Sequence, residues 1–286
     1  MSTYEIEGVQ GDANRCPNFP KIPAEGLFGP KSIAWMVNRE QVTLLAGPAA
    51  AVLQIAHPKV ARGVAEHSDF RKDSYGRLKR TLSAVRSITF GTGRDVYRVA
   101  LGIQKMHERV MAKQSNTDAG YSALDSDLQL WVLATLIKGA VSNYELFVSL
   151  LSADEKHAYY QDMRAWGQFF GLSTSYGPRN WEEFEDYYAT ILHGNVLGSD
   201  PICAEVARQV VYPEHPLLFK LGTLPLSYLV TENLPPPLLE RLGLRSERWT
   251  RTAWSVTKTL VPTVYSLLPD ALRYPVEYRR ARTLWN

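Results

Sequence analysis

A chain of 286 residues, 45 % hydrophobic and 21 % charged, carries enough apolar material for a substantial buried core, which excludes a disordered or low-complexity protein. Its net charge of +3, with Lys and Arg spread along the chain and no nucleic-acid motif, gives no ground for a nucleic-acid partner. Two distant cysteines, Cys16 and Cys203, have neither metal nor redox spacing and imply no disulfide framework, which fits a reducing, cytoplasmic compartment.

The opening stretch MSTYEIEGVQGDANRCPNFP has no basic segment followed by an apolar run, so it does not read as a secretory signal. Residues 1–28 are rich in Gly, Pro, Asn and Asp and lack a period, which predicts an extended arm ahead of a helical domain over 29–286. Pro30 suits the first turn of a helix carrying Ile33, Ala34, Trp35 and Val37. Val42 to Ile55 is apolar on nearly all sides and predicts a central helix. The apolar run containing it is interrupted by Gly47-Pro48 and is shorter than the ~20 residues of a membrane span, so no transmembrane segment is expected. Pro58 opens a short helix to His67.

Asp73 or Ser74 can cap a helix that ends near Gly91 and Gly93. Val96, Val99, Ile103, Met106 and Val110 predict the next helix over 95–112. Asp125 starts a long one running to about Leu150, followed by helices over 153–170, 181–192 and 201–211. Pro235-Pro236-Pro237 precedes a turn at Gly243, and helices over 245–266 and 269–282 close the chain. No stretch alternates long enough for a convincing sheet, so the expected fold is all-α and a single globular domain.

Within RLKRTLSAVRSITFG (77–91), Arg77, Arg80 and Thr81 stand at i, i+3 and i+4 and share one helix face beside an apolar face of Leu78, Leu82 and Val85. A one-sided stripe of that kind is either a solvated face or a cradle for a buried anion such as a cofactor carboxylate. Six histidines are present, of which His107 lies on an apolar helix face between Ile103 and Val110, and His57 ends the most apolar stretch. The chain has no His-Glu-x-x-His, Glu-x-x-His, Gly-x-Ser-x-Gly, P-loop or Gly-x-Gly-x-x-Gly, which removes the commonest zinc, di-iron, hydrolase and nucleotide readings. A single imidazole on an apolar face is a common way to hold haem iron, but a structural histidine fits the same residues.

LLAGPAAAVLQIAHPKVARGVAEHSDF (44–70), RLKRT (77–81), FG (90–91), MHERV (106–110) and YSALDSDLQLWVLATL (121–136) together resemble the MpaB/rubber-oxygenase family, which includes latex clearing protein. The blocks run in order over about 30–190, and LPPPLLERLGL (234–244) and LPDALRYPVEYRRAR (268–282) resemble the family's C-terminal part. The resemblance implies a globin-like helical core enclosing haem b, with dioxygen and a hydrophobic small molecule, isoprenoid or otherwise unsaturated, as substrates. By position it makes His107 the iron ligand and puts Arg77, Arg80 and Thr81 on the distal side as catalytic and cofactor-binding residues. His67 and Trp131 join the cofactor-binding set, Trp35 and Phe70 are further aromatic lining, and His57 is left to a structural role.

Two departures from the family pattern have chemical content. Latex clearing protein has a Lys before the Thr that can ligate iron; here Arg80 stands there, always protonated and without a lone pair for a metal. Many relatives carry a His where this chain has Leu133. The function expected is therefore a haem-dependent oxygenase of unspecified substrate. The alternatives are a haem sensor or carrier without turnover, and a haem-dependent peroxygenase or cyclase.

Overall fold

A computed structural model of the chain describes residues 19–67, 74–113, 120–212 and 227–285, with the backbone alone over 74–79. The chain folds as the all-α class the periodicity predicts. In order it forms α1 (Ile33–Asn38), a 3-10 helix (Gln41–Ala46), α2 (Gly47–Ile55), α3 (Pro58–His67), α4 (Ser74–Phe90) and α5 (Gly93–His107). A two-stranded antiparallel ribbon follows, β1 (Met111–Ala112) with β2 (Tyr121–Ser122). Then come α6 (Ser126–Phe147), α7 (Ala153–Gly167), α8 (Trp181–His193), α9 (Pro201–Val211) and α10 (Pro236–Arg241). α11 (Arg248–Ser266), α12 (Asp270–Arg273) and α13 (Val276–Arg282) end the described chain. No described helix is long and apolar enough to cross a membrane.

The centre is α6, which buries residues on nearly every side, from Leu128 and Trp131 through Ile137 to Tyr144 and Phe147. A helix apolar all round has to be wrapped by others. The 3-10 helix, α1, α2, α7, α8 and α11 all pack on it. Polar groups at this core are paired: the Trp131 indole N–H donates to the Leu53 carbonyl at 3.0 Å, and Gln54 Nε2 donates to Thr135 Oγ1 at 2.9 Å. Gly139 lets the 3-10 helix approach, since a Cβ there would lie 2.9 Å from the Ala46 methyl.

Boundaries depart from the periodicity where proline or a tertiary partner intervenes. The expected helix over 42–55 is a 3-10 helix followed by α2, because Pro48, lacking an N–H, starts a new helix at its first turn. The helix expected over 95–112 begins at Gly93 and stops at His107, and Met111 and Ala112 leave to pair with Ser122 and Tyr121. Val110 continues the helical spacing, but its carbonyl accepts from Ala123 N–H at 2.9 Å across the ribbon, a non-local bond that periodicity cannot report. α6 ends at Phe147 rather than Leu150, and the run 153–170 turns 3-10 at Gln168–Phe170. Pro275 divides the expected helix 269–282 into α12 and α13.

α4 and α5 form an antiparallel pair joined by Gly91 and Thr92. Thr92 and Asp95 make a reciprocal capping box that fixes where α5 starts. The segment before α1 is laid across this junction: Gly93 N–H donates to the Ala24 carbonyl at 2.9 Å, and Gly26 adopts φ +142°, where an added Cβ would fall 2.4 Å from the Gly91 carbonyl oxygen. Gly26→Ala therefore meets both an unfavourable backbone angle and a backbone clash. It is expected to cost about 3 kcal/mol, read as a lower urea midpoint at unchanged slope. An unchanged midpoint would refute this description of the turn.

Candidate cofactor site around the α4–α5 hairpin

The short connection sets the register of the hairpin, so the first turns of α4 lie beside the last turn of α5. Arg77, Arg80 and Thr81 fall in the first half of α4, and His107 is the last residue of α5. Arg80 and Thr81 are exposed on α4, while the side chain of Arg77 lies outside the described residues. His107 closes α5 on the face that also holds Val96, Ala100 and Ile103. Its Nδ1 is buried with no hydrogen-bond partner among the described residues. Burial holds its pKa below the ordinary 6.5, so the ring is neutral at pH 7 and keeps one nitrogen lone pair for a ligand.

A cavity of about 300 Å³ opens next to it, lined by His67 at the end of α3 and by Gly102, Lys105, Met106, Arg109 and Val110 of α5 and its exit. The His67 ring stands edge-on to Tyr121, with centroids 6.0 Å apart, and Tyr121 hydrogen-bonds Glu66 Oε2 at 2.5 Å. Lys105 and Arg109 stand one helical turn apart, and neither is within ion-pair distance of a described carboxylate. Gly102 and His107 are separated by roughly 140° around the helix, so His107 faces inward while the cavity lies on the adjoining outer face. Lys105 and Arg109 carried no function in the sequence reading. Their one signal was like charge at i, i+4 around His107, which ordinarily marks a solvated helix end.

The hairpin thus carries His107 at the end of α5 and Arg80 and Thr81 on α4, with His67 across the cavity from the exit of α5. It does not gather the aromatic residues expected with them. Trp131 is 2 % exposed, spends its N–H on Leu53 and stacks on Tyr188 at 5.7 Å, inside the core around α6. Trp35 is buried edge-on against Phe90 at 5.2 Å and Tyr278 at 5.6 Å. Phe70 lies outside the described residues. Leu133 is buried, its methyl 2.9 Å from where a side chain on Gly167 would begin.

His57 is a second half-buried imidazole whose buried Nδ1 has no partner among the described residues. It sits between α2 and α3, and its carbonyl accepts from Ala61 N–H at 2.9 Å. Burial, helped by the Lys59 ammonium, lowers its pKa. Both rings are therefore protonated more readily in the unfolded chain than in the folded one. Their contribution to stability is complete above the unfolded value of about 6.5 and declines as pH falls through it. The thermal midpoint is expected to drop from pH 7.5 to about 5.5, with a shallower drop in the His57→Ala/His107→Ala double variant. Parallel profiles for the two proteins would contradict this assignment.

Among the described residues no three His, Cys, Asp or Glu side chains gather in a metal-ligating group. Iron already held by a porphyrin asks the protein for one axial side chain, often a histidine. A half-buried, neutral imidazole with a buried unpartnered Nδ1, flanked along the chain by Lys105 and Arg109, whose cations can meet carboxylates, fits that requirement.

Over 147 residues the chain is 27 % identical to the uncharacterized protein Rv2237 of Mycobacterium tuberculosis, covering 50 % of this chain and 57 % of the relative. The uncharacterized protein Mb2261 of Mycobacterium bovis matches with the same identity and coverage, so the chain spans a little over half the length of these curated relatives. No solved structure matches the chain. The family model for the catalytic domain of ER-bound oxygenase mpaB/B′ and rubber oxygenase matches residues 34–266, from α1 through the whole of α11. With both helices of the hairpin and the entire α6 core inside that match, the chain belongs to the mpaB/B′ and rubber-oxygenase catalytic-domain family.

Proposed function

We propose that this chain is a haem b-dependent oxygenase acting with dioxygen on a hydrophobic, unsaturated small molecule, and that His107 is its iron ligand. Membership of an oxygenase catalytic-domain family supports the reaction class. The observation that carries the cofactor is the buried Nδ1 of His107, which has no partner among the described residues in a ring kept neutral by burial. Desolvating an imidazole nitrogen without a partner costs about 1–3 kcal/mol, a cost that ligation at that nitrogen would offset.

Haem b, when bound, supplies the activation of dioxygen toward an electron-rich carbon. The chain's own groups hold and orient. His107 provides the neutral nitrogen that fixes the iron. Arg80 offers guanidinium N–H donors and Thr81 a hydroxyl, fixed positive and dipolar groups that favour negative charge developing nearby. Arg80 would not itself hold the iron, because a guanidinium has no lone pair to give. Lys105 and Arg109 line an opening, with His67 opposite, where carboxylates of the cofactor would find the two cations.

The test is reconstitution. Purified chain titrated with hemin is expected to develop a Soret band at one equivalent, and the His107→Ala variant to lose it. Oxygen uptake dependent on an added apolar alkene then tests the reaction. A full-length protein that stays colourless with excess hemin overturns the proposal.

A further inference from the structure

α11 is apolar on two faces, and among the described residues only one of them is packed against the fold. Thr250 and Tyr265 are buried toward the body, and Trp254 packs edge-on against Phe147 of α6 at 6.3 Å. A second row, Trp249, Val256, Leu260, Val264 and Leu267, is 42, 49, 55, 55 and 80 % exposed. At about 100° per residue these five side chains project within a sector of roughly 80°, turned away from the body-facing sector. Single exposed apolar residues are ordinary on a protein surface, but a continuous row the length of a helix is not.

The charge along α11 itself is one-signed, with Glu247 just ahead of it accepting from the Trp249 indole N–H at 2.8 Å. No acidic residue occurs between Glu247 and Asp270, while Arg248, Arg251 and Lys258 are exposed on the same helix. From Arg248 to the last residue the chain carries a formal charge of +5, which leaves −2 for residues 1–247. Arg279, Arg280 and Arg282 of α13 are exposed as well. An exposed apolar row on a helix whose polar side is basic is the composition of a helix that lies in a lipid–water interface. Acidic headgroups add attraction for each lysine or arginine near the surface. A lipid surface is the more favourable occupant than a second copy, because acidic headgroups attract the basic residues of α11 and α13 whereas a like-charged copy gains nothing from them.

We infer that α11 is a peripheral docking face for a bilayer surface containing acidic phospholipid, with the Trp249–Leu267 row inserted among the acyl chains. The helix lies along the surface rather than across it. This assignment does not depend on the haem reading and stands if no cofactor binds.

Full-length protein is sedimented with vesicles of phosphatidylcholine alone and with vesicles containing about 30 % phosphatidylserine. Binding is expected to the acidic vesicles and to weaken in about 0.5 M salt, where the Debye length is a few ångströms. Val256→Asp/Leu260→Asp is expected to lower partitioning at least tenfold, consistent with withholding two aliphatic side chains from the bilayer, with an unchanged circular-dichroism melting curve. Arg251→Glu/Lys258→Glu, on the polar side, is expected to remove the preference for acidic vesicles and keeps the inference testable if the first variant misfolds. Absence of binding to acidic vesicles overturns it. So does undiminished binding of both variants, or a wild-type dimer that Val256→Asp/Leu260→Asp converts to monomer, since that outcome assigns the face to a second copy.

Discussion

The His107→Ala variant is expected to bind hemin at least 100-fold more weakly than the wild-type chain and to show no Soret band at one equivalent. The bound follows from the effect of neighbours: losing a group that merely orients a metal-ligating histidine typically costs 10–100-fold in metal affinity. Losing the ligand itself should cost no less. The cofactor-free fold should be little affected, because His107 brings to it a buried nitrogen without a partner among the described residues. The thermal midpoint of the wild type should rise on addition of hemin and that of His107→Ala should not, since only a ligand bound to the native state stabilises it. His57→Ala is the control, as His57 is the other imidazole whose buried Nδ1 has no partner among the described residues. A Soret band retained in His107→Ala and lost in His57→Ala would move the ligand to the α2–α3 junction.

Glu40→Ala is expected to destabilise the fold by about 3 kcal/mol. Glu40 is 1 % exposed, yet two arginines and a phenol converge on it. Arg273 Nη2 lies 3.3 and 3.2 Å from its two oxygens, Arg39 Nε 3.4 Å from Oε1, and the Tyr265 hydroxyl 3.0 Å from Oε2. Burial first, and then the Glu40 charge, push the Tyr265 hydroxyl up to about 12, so it stays a donor. The cluster joins α1's exit to the end of α11 and to α12, which are distant in sequence. Without the carboxylate, Arg39 and Arg273 face each other with no compensating charge, and Arg273 Nε already lacks a partner among the described residues. Both guanidinium groups are partly solvated, which keeps the cost below that of a fully enclosed pair. For a chain of this size the loss corresponds to a thermal midpoint lower by roughly 6–10 °C. Glu40→Ala/Arg273→Ala should be more stable than the sum of the single losses implies. Strict additivity would show that the cluster is not coupled.

Class and family were legible in the amino-acid sequence, and both rest on local patterns. Helical periodicity is a local property, visible in Val96, Val99 and Ile103 for α5 and in the all-round apolar run of α6, because side chains three and four apart share a face whatever packs on it. Caps are local too: Asp125 caps α6 through Asp127 N–H, as its position ahead of the apolar run predicts. His107 could be singled out by its apolar neighbours, and the RLKRT and MHERV blocks carried the family resemblance that the match over 34–266 bears out. What sequence could not decide was which apolar aromatic goes where. Trp131 and Trp35 read as pocket lining and pack inside the core, because an indole satisfied by the Leu53 carbonyl has the same spacing as one facing a ligand. The ribbon that stops α5 at His107 depends on a partner strand ten residues away, and the cavity between His67 and Arg109 on two helices meeting. The exposed row of α11 has the same periodicity as a core face, and only the packing of Thr250, Trp254 and Tyr265 on the body shows which side is left over. Periodicity fixes which residues share a face; what the face meets is decided by the rest of the chain.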